Sequence, residues 1–201
     1  MDMNAMNKIS YGLYVIFARE GEKDNGCICN TAAQVTSTPN RVSVTLNKSG
    51  YTHDMIMRTG EFNVSVLSED ADFSVFTHYG FKSGRDTDKI AGPVPRSENG
   101  LCYLEMSTNA YLSCRVVSTV DLGTHTMFIA DVTGGEVLSD TPSATYAYYH
   151  SHIKPKPQKK KTEETVWVCD ICGYEYVGEE VPEDFVCPIC KHGKADFRRK
   201  G

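Results

Sequence analysis

Cys169-Asp-Ile-Cys172-Gly173-Tyr174 and Cys187-Pro-Ile-Cys190 decide the reading of this chain. They are two Cys-x-x-Cys pairs with the fourteen residues 173–186 between them. Each pair makes a tight turn that aims both sulfurs inward and leaves backbone N–H groups free to hydrogen-bond them. Four thiolates at one point form a soft tetrahedral cage, which selects zinc or iron. The interval is slightly shorter than the roughly fifteen to twenty residues usual for a zinc pattern. Cys169, Cys172, Cys187 and Cys190 are the expected metal ligands.

A plain zinc ribbon needs only the four sulfurs, but the surroundings here are richer. Trp167, Tyr174, Tyr176, Phe185 and Phe197 crowd a very short segment. An aromatic core that dries one side of a site tunes a redox metal. The run Trp167-Val-Cys169-Asp-Ile-Cys172-Gly173-Tyr174, followed by Pro182-Glu-Asp-Phe185-Val-Cys187-Pro188-Ile-Cys190 and Phe197, closely resembles rubredoxin. The compact loop between the pairs is similar to the short rubredoxin module of rubrerythrins. The resemblance covers about 165–201 and implies one iron bound by four cysteines, with one-electron transfer. Rubredoxins usually carry Gly after the second Cys of each pair; Gly173 fits, whereas Lys191 stands in the other place. If that position demands φ > 0, Lys191 carries a strain of roughly 1–2 kcal/mol.

Outward from this segment, 201 residues suit one medium domain plus a small one. Hydrophobic residues at 40% and charged residues at 23% are the proportions of a soluble globular chain. A net charge of −5 argues against nucleic acid as a partner. No apolar run approaches the roughly twenty residues of a membrane span. The start, Met1-Asp-Met-Asn-Ala-Met-Asn-Lys8, lacks the regions of a signal peptide, so a cytoplasmic protein is expected. Cys27, Cys29, Cys102 and Cys114 lie in apolar stretches and read as buried thiols in a reducing compartment.

Ser151–Glu164 has prolines, a lysine run and almost nothing apolar, and reads as a solvated linker. The expected organisation is a domain over 1–150, the linker over 151–164 and a small domain over 165–201. Residues 11–18 read as a buried strand, Arg19–Asn25 as a charged turn, and Gly26–Thr38 as one extended stretch ended by Pro39. Val42, Val44 and Leu46, then Phe62, Val64 and Val66, alternate with polar residues as half-buried strands do. More strands are expected near 101–108, 110–121 and 125–138. Helices are expected at 53–59, closed by Gly60, and 69–79, ended by Gly80, with a loop over 81–99. This spacing predicts a mainly β fold, an antiparallel barrel with a few short helices. There is no Gly-x-Gly-x-x-Gly fingerprint, so no separate dinucleotide-binding fold is expected.

Asn47-Lys48-Ser49-Gly50-Tyr51-Thr52 lies between a strand and a helix. Thr52 can cap that helix, whose free N–H groups and dipole favour an anion. Lys48 adds charge, and Ser49 and Thr52 add hydroxyls, which suits a phosphate; an ordinary capped helix is the plainer alternative. With Asn30-Thr-Ala-Ala-Gln-Val-Thr-Ser-Thr-Pro39, Ser83-Gly-Arg-Asp-Thr-Asp-Lys89 and Gly123-Thr-His125-Thr, the stretch resembles the flavin reductase-like family over about 8–150. That resemblance implies an FMN-binding split β-barrel, usually a homodimer with flavin near the subunit interface. On it, Asn30, Thr31, Ala32, Ala33 and Gln34 border the isoalloxazine, largely through backbone groups. Lys48, Ser49 and Thr52, on the loop opened by Asn47, hold the phosphate. Arg85 and Lys89 lie on a loop near the cofactor. His125 lies near the flavin or nicotinamide as the candidate catalytic residue, its alternative being a structural strand histidine.

Nicotinamide gives up two electrons together, and a single iron in four thiolates accepts one. Flavin takes the pair and passes electrons singly, so the two domains make a complete converter. The whole chain resembles the fused flavin reductase–rubredoxin family called high-molecular-weight rubredoxins. This implies NAD(P)H:rubredoxin oxidoreductase activity, with a terminal acceptor such as a flavodiiron oxygen or nitric oxide reductase. Two other readings stand beside it: a flavin reductase that releases reduced FMN and carries a structural zinc ribbon, and an electron carrier without nicotinamide activity.

Overall fold

The apolar run near the start of the chain becomes strand β1 (Tyr14–Glu20), with Val15, Ile16 and Phe17 all fully buried. Side chains alternate across a strand, so Ile16 and Ala18 enter one core while Val15 and Phe17 enter another. A strand covered on both faces loses the polar half of its alternation. The structure is a computed structural model and describes residues 2–90, 92–155 and 165–200. It divides into two units, Met1–Pro155 and Lys156–Gly201. Residues 156–164 of the expected linker lie outside the described residues.

In the first unit β1 is followed by β2 (Lys23–Cys29), β3 (Ala32–Ser37), β4 (Asn40–Asn47), helix α1 (Tyr51–Thr59), β5 (Glu61–Leu67) and helix α2 (Phe73–Gly80). Then come β6 (Thr108–Asp121), β7 (His125–Val137) and a short helix α3 (Tyr146–Tyr148), which runs into a π-helical turn over Tyr149–Ile153. The seven strands form one antiparallel sheet in the order β2-β1-β5-β6-β7-β4-β3. Ile16 of β1 and Val44 of β4, far apart in that order, share one core with Phe62, Phe128 and Met55 of α1. The sheet therefore curls around this core, and α1 plugs it. Register shifts along β6 and β7 between Ser113/Cys114 and Val116/Ser118 supply the bend. The other face of β1 is covered by α2 and the C-terminal turn, through Phe76, Tyr79, Tyr149 and Ile153.

Several local expectations change. The charged turn over Arg19–Asn25 shrinks to Gly21-Glu22, because Asp24 and Asn25 already belong to β2. They are buried there, where Asp24 pairs with Arg96 and Asn25 Nδ2 donates to Thr52 Oγ1. The extended stretch over 26–38 breaks at Asn30-Thr31, where the chain crosses from one edge of the sheet to the other. Residues 101–107 hold no named strand, only an isolated bridge between Arg96 and Cys102. Helix α1 starts earlier than expected and is capped by Gly50, not Thr52, with no side-chain bond at the cap. Helix α2 starts only after Asp72, whose carboxylate accepts from Ser74 N. Among the described residues no helix is long and apolar enough to cross a membrane.

In the second unit β8 (Val166–Cys169), β9 (Glu175–Val177) and β10 (Phe197–Arg199) form a three-stranded antiparallel sheet. Its core is Val181 and Phe197 with Trp167, Tyr174, Tyr176, Phe185 and the cysteines. Phe185 meets Tyr176 at 4.7 Å and Phe197 at 5.5 Å, centroid to centroid.

Candidate metal centre and flavin site

The two cysteine pairs fold into near-copies of one turn. Gly173 N–H donates to Cys169 O at 2.8 Å, and Lys191 N–H to Cys187 O at 3.0 Å. In return, Cys169 N–H donates to Tyr174 O at 2.9 Å, and Cys187 N–H to His192 O at 2.8 Å. The residue after the second Cys is left-handed in both copies, φ 78° at Gly173 and 64° at Lys191. The backbone thus does demand φ > 0 at Lys191, where a side chain is costly.

The four Sγ atoms all lie within 4.8 Å of one another. Cys169 and Cys190 approach to 3.6 Å, and Cys172 and Cys187 to 3.5 Å. A tetrahedron with metal–sulfur bonds of about 2.3 Å has edges of about 3.8 Å, so the cage fits a tetrathiolate ion. Main-chain N–H groups of Tyr174 and His192 hydrogen-bond Cys172 and Cys190, and those of Ile189 and Cys190 serve Cys187. Such donors favour the thiolate that a metal needs. Cys169 and Cys187 are buried against the aromatic core, while Cys172 and Cys190 are half-exposed. Ile171, Val186 and Ile189 stand exposed in the same two loops.

In the first unit two hollows meet at Cys27, Ile28 and Gly50. One, of about 280 Å³, is lined by Asn30, Thr31, Asn47, His53 and His125. The other, of about 360 Å³, is lined by Asn25, Ser49, Thr52, Gly84 and Lys89. Lys89 is 5% exposed, donates to Gly26 O at 2.9 Å and Tyr79 O at 3.0 Å, and has its pKa lowered by burial. An ammonium has three donors, so one remains for a ligand. Asn25 Nδ2 donates to Thr52 Oγ1 at 2.9 Å, yet its buried Oδ1 has no partner among the described residues. A Cβ on Gly84 would meet that oxygen at 2.0 Å, so only glycine lets the loop close here. A spare ammonium donor and the open N-terminus of α1 fit the phosphate of a phosphorylated flavin.

The structure thus gathers Asn30, Thr31, Asn47, Ser49, Thr52, Lys89 and His125 around adjoining hollows. Ala32, Ala33 and Gln34 instead line a separate apolar groove with Tyr14, Val42 and Val64. The Lys48 ammonium is held by Asp121 at 2.7 Å, and the Arg85 guanidinium by Asp54. Asp121 is pulled below the usual carboxylate range by the Lys48 hydrogen bond and by Gly123 N–H, and Asp54 by Arg85 and His53. His125 is half-buried, with Nδ1 2.9 Å from Thr124 Oγ1. Neither Asn25 nor His53 is among the site residues expected from the sequence. His53 lines the first hollow, and the adjoining Asp54 is its one local signal.

Residues 6–157 match the flavin reductase like domain. The chain belongs to the flavin reductase-like family. Residues 167–198 match the rubrerythrin, rubredoxin-like domain, so the C-terminal unit is a rubredoxin-like domain. A high molecular weight rubredoxin of Moorella thermoacetica is 38% identical over 228 aligned residues, covering 99% of this chain and all 100% of that one. A ferric-chelate reductase (NAD(P)H) of Archaeoglobus fulgidus is 34% identical over 163 residues, 81% of this chain and 96% of its own. Among solved structures, the flavin reductase PheA2 superposes with a TM-score of 0.59 at 25% identity, covering 72% of this chain and 93% of that one. The mainly β split barrel with a small rubredoxin-type ribbon is therefore the fold expected from the sequence. The chain is an oxidoreductase, with a flavin-binding unit and a four-cysteine iron-binding unit.

Proposed function

We propose that this chain oxidises NAD(P)H at FMN held in the barrel and passes electrons singly to iron held by Cys169, Cys172, Cys187 and Cys190. One observation carries the reading: a four-sulfur cage in the same chain as a flavin reductase-like barrel. The NAD(P)H in the name of the 34% identical reductase supports the choice of donor. When bound, flavin supplies the exchange between a two-electron donor and a one-electron acceptor.

The chain's own residues bind, orient and screen. Ser49, Lys89 and the N-terminus of α1 hold the phosphate, with Thr52 and Asn25 bracing the wall behind them. Asn30 and Thr31 border the ring where the chain crosses between sheet edges, and His125 stands at the mouth towards the nicotinamide. Lys48 and Arg85 act at one remove, through the Asp121 and Asp54 that hold them. A second copy of the chain covers the apolar groove of Tyr14, Val42, Val64, Val66 and Val132 and so reaches Ala32, Ala33 and Gln34. The exposed Val35 on edge strand β3 supports such a homodimer. Ile171 and Ile189 beside the half-exposed Cys172 and Cys190 suit docking of an acceptor protein, of the flavodiiron kind by resemblance. The free thiols of Cys27, Cys29, Cys102 and Cys114 suit the reducing cytoplasm.

Anaerobic titration of the full chain with NADH and with NADPH, followed at flavin and ferric-thiolate wavelengths, tests this. Both chromophores should bleach, and the donor that acts should deliver electrons to iron as well as flavin. A colourless metal site, or iron that stays oxidised beside reduced flavin, would instead mean a flavin reductase with a structural ribbon.

A further inference from the structure

His53 is a titratable group of the flavin hollow that the proposed function leaves without a task. It sits on α1 at 7% exposure, its ring edge-on to Phe128 with centroids 5.5 Å apart. It lines the hollow that also holds Asn30, Asn47 and His125. Both ring nitrogens are engaged, Nδ1 with Asp54 Oδ1 at 3.0 Å and Nε2 with Thr126 Oγ1 at 2.9 Å. Asp54 is bonded in turn by Arg85, whose guanidinium lies 5.0 Å from the Tyr51 ring centre. That pairing holds Asp54 below the usual carboxylate range, so it is an anion at neutral pH.

A carboxylate only accepts, so His53 Nδ1 carries hydrogen. Nε2 then faces a hydroxyl, which donates to the neutral ring and accepts from the cation. This imidazole can change charge without losing either hydrogen bond. Asp54 is 29% exposed, which leaves its side of the pair open to water. The other groups facing the hollow lack this arrangement. Burial pushes the Cys27 thiol up to about 11 and raises the Cys29 thiol too, and the Lys89 ammonium is tied to Gly26 O and Tyr79 O. His125 is half-buried, its Nδ1 bonded to its neighbour Thr124, with no carboxylate partner among the described residues.

Iron in four thiolates takes an electron and no proton. A hydride delivered to flavin brings two electrons and one proton, leaving one negative charge to be balanced inside the hollow. Resting on the function proposed above, we infer that His53 takes up one proton as the flavin is reduced and gives it up as electrons leave for iron. In the first half, NAD(P)H loses a hydride to the flavin and one solvent proton moves to His53. In the second, two ferric sites, or one site twice, take one electron each, and the hydride's proton and the His53 proton return to solvent. Atoms and electrons balance with no further reactant.

The test is the pH dependence of the bound flavin's reduction potential, read by spectroelectrochemistry on the full-length holoprotein from about pH 5 to about pH 9. Over one window the parent should show a slope steeper by one proton per two electrons. His53→Gln should lose that extra proton, and His125→Gln should keep it. Asp54→Asn should move the window to lower pH, because the cation loses its carboxylate. A His53→Gln protein with the parent's slope overturns the inference. If His53→Gln does not hold flavin, Asp54→Asn decides, and an unmoved window overturns it. Flavin bound in a parent without the extra proton refutes the role of His53 alone; a full chain that takes up no flavin refutes the proposed function with it.

Discussion

Replacing Lys191 by glycine should stabilise the iron unit, and replacing Gly173 by alanine should weaken it by a similar amount. The two residues occupy equivalent places, φ 64° and 78°, each with its N–H bonded to the carbonyl of the first cysteine of its pair. A left-handed conformation costs an L-residue about 1–2 kcal/mol. Introducing glycine returns about 0.4–1 kcal/mol of that by freeing the unfolded chain. The middle values leave a net gain of about 0.8 kcal/mol for Lys191→Gly and a loss of the same size for Gly173→Ala. Among the described residues, its chain neighbours aside, no atom lies within 4 Å of a Cβ built on Gly173, so its change is one of backbone. Lys191 is exposed, so its side chain takes little packing with it. The assay is loss of ferric absorbance in guanidinium at fixed protein and iron concentration, since metal binding is part of the folding free energy. With a slope of about 2 kcal/mol/M for so small a unit, the midpoints should move by about 0.4 M in opposite directions. Midpoints that stay put, or move the same way, refute the claim that the turn itself dictates φ > 0.

Four further outcomes are expected. Cys172→Ser should abolish the ferric spectrum while flavin content stays at the parent's level, because the two units have separate cores. Lys89→Met should weaken FMN about tenfold or more, and Lys48→Ala much less, since Lys48 lines neither hollow and its charge is paired with Asp121; flavin fluorescence reads both. Burial works against ionisation of Asp24, but Arg96 outweighs it and the pKa is lowered. Asp24 therefore stabilises the fold above its unfolded pKa of about 3.9, an effect lost as pH falls through the lower folded value. Asp24→Asn should accordingly flatten the acid side of a plot of Tm against pH. Residues 1–155 alone should bind flavin and oxidise NAD(P)H but reduce a protein acceptor poorly. Adding 165–201 separately at about micromolar concentration should restore only part of the rate, because tethering supplies about millimolar.

The metal centre was legible in the sequence because its ligands come from two local turns. Residue type and a spacing of three bring Cys169 to Cys172 and Cys187 to Cys190, and aromatic crowding marks the dry side. Strands β4 and β5 were legible for a similar reason, since a period of two shows in Val42, Val44, Leu46 and in Phe62, Val64, Val66. Strand β2 was not. Its Asp24 and Asn25 look like turn residues, and what buries them is Arg96, 72 positions away, and Thr52, 27 away.

The same division runs through the flavin site. Sequence alone marked the loop from Asn47 to Thr52, the stretch from Ser83 to Lys89 and His125 as one constellation. Only the curled sheet decided which of these side chains face a common hollow. It turned Ala33 and Gln34 to another groove, gave Lys48 to Asp121 and Arg85 to Asp54, and set His53 between Asp54 and Thr126. Short spacings carry chemistry that local turns can assemble. Which partner a charged or polar side chain finds depends on elements that meet only after the chain has closed on itself.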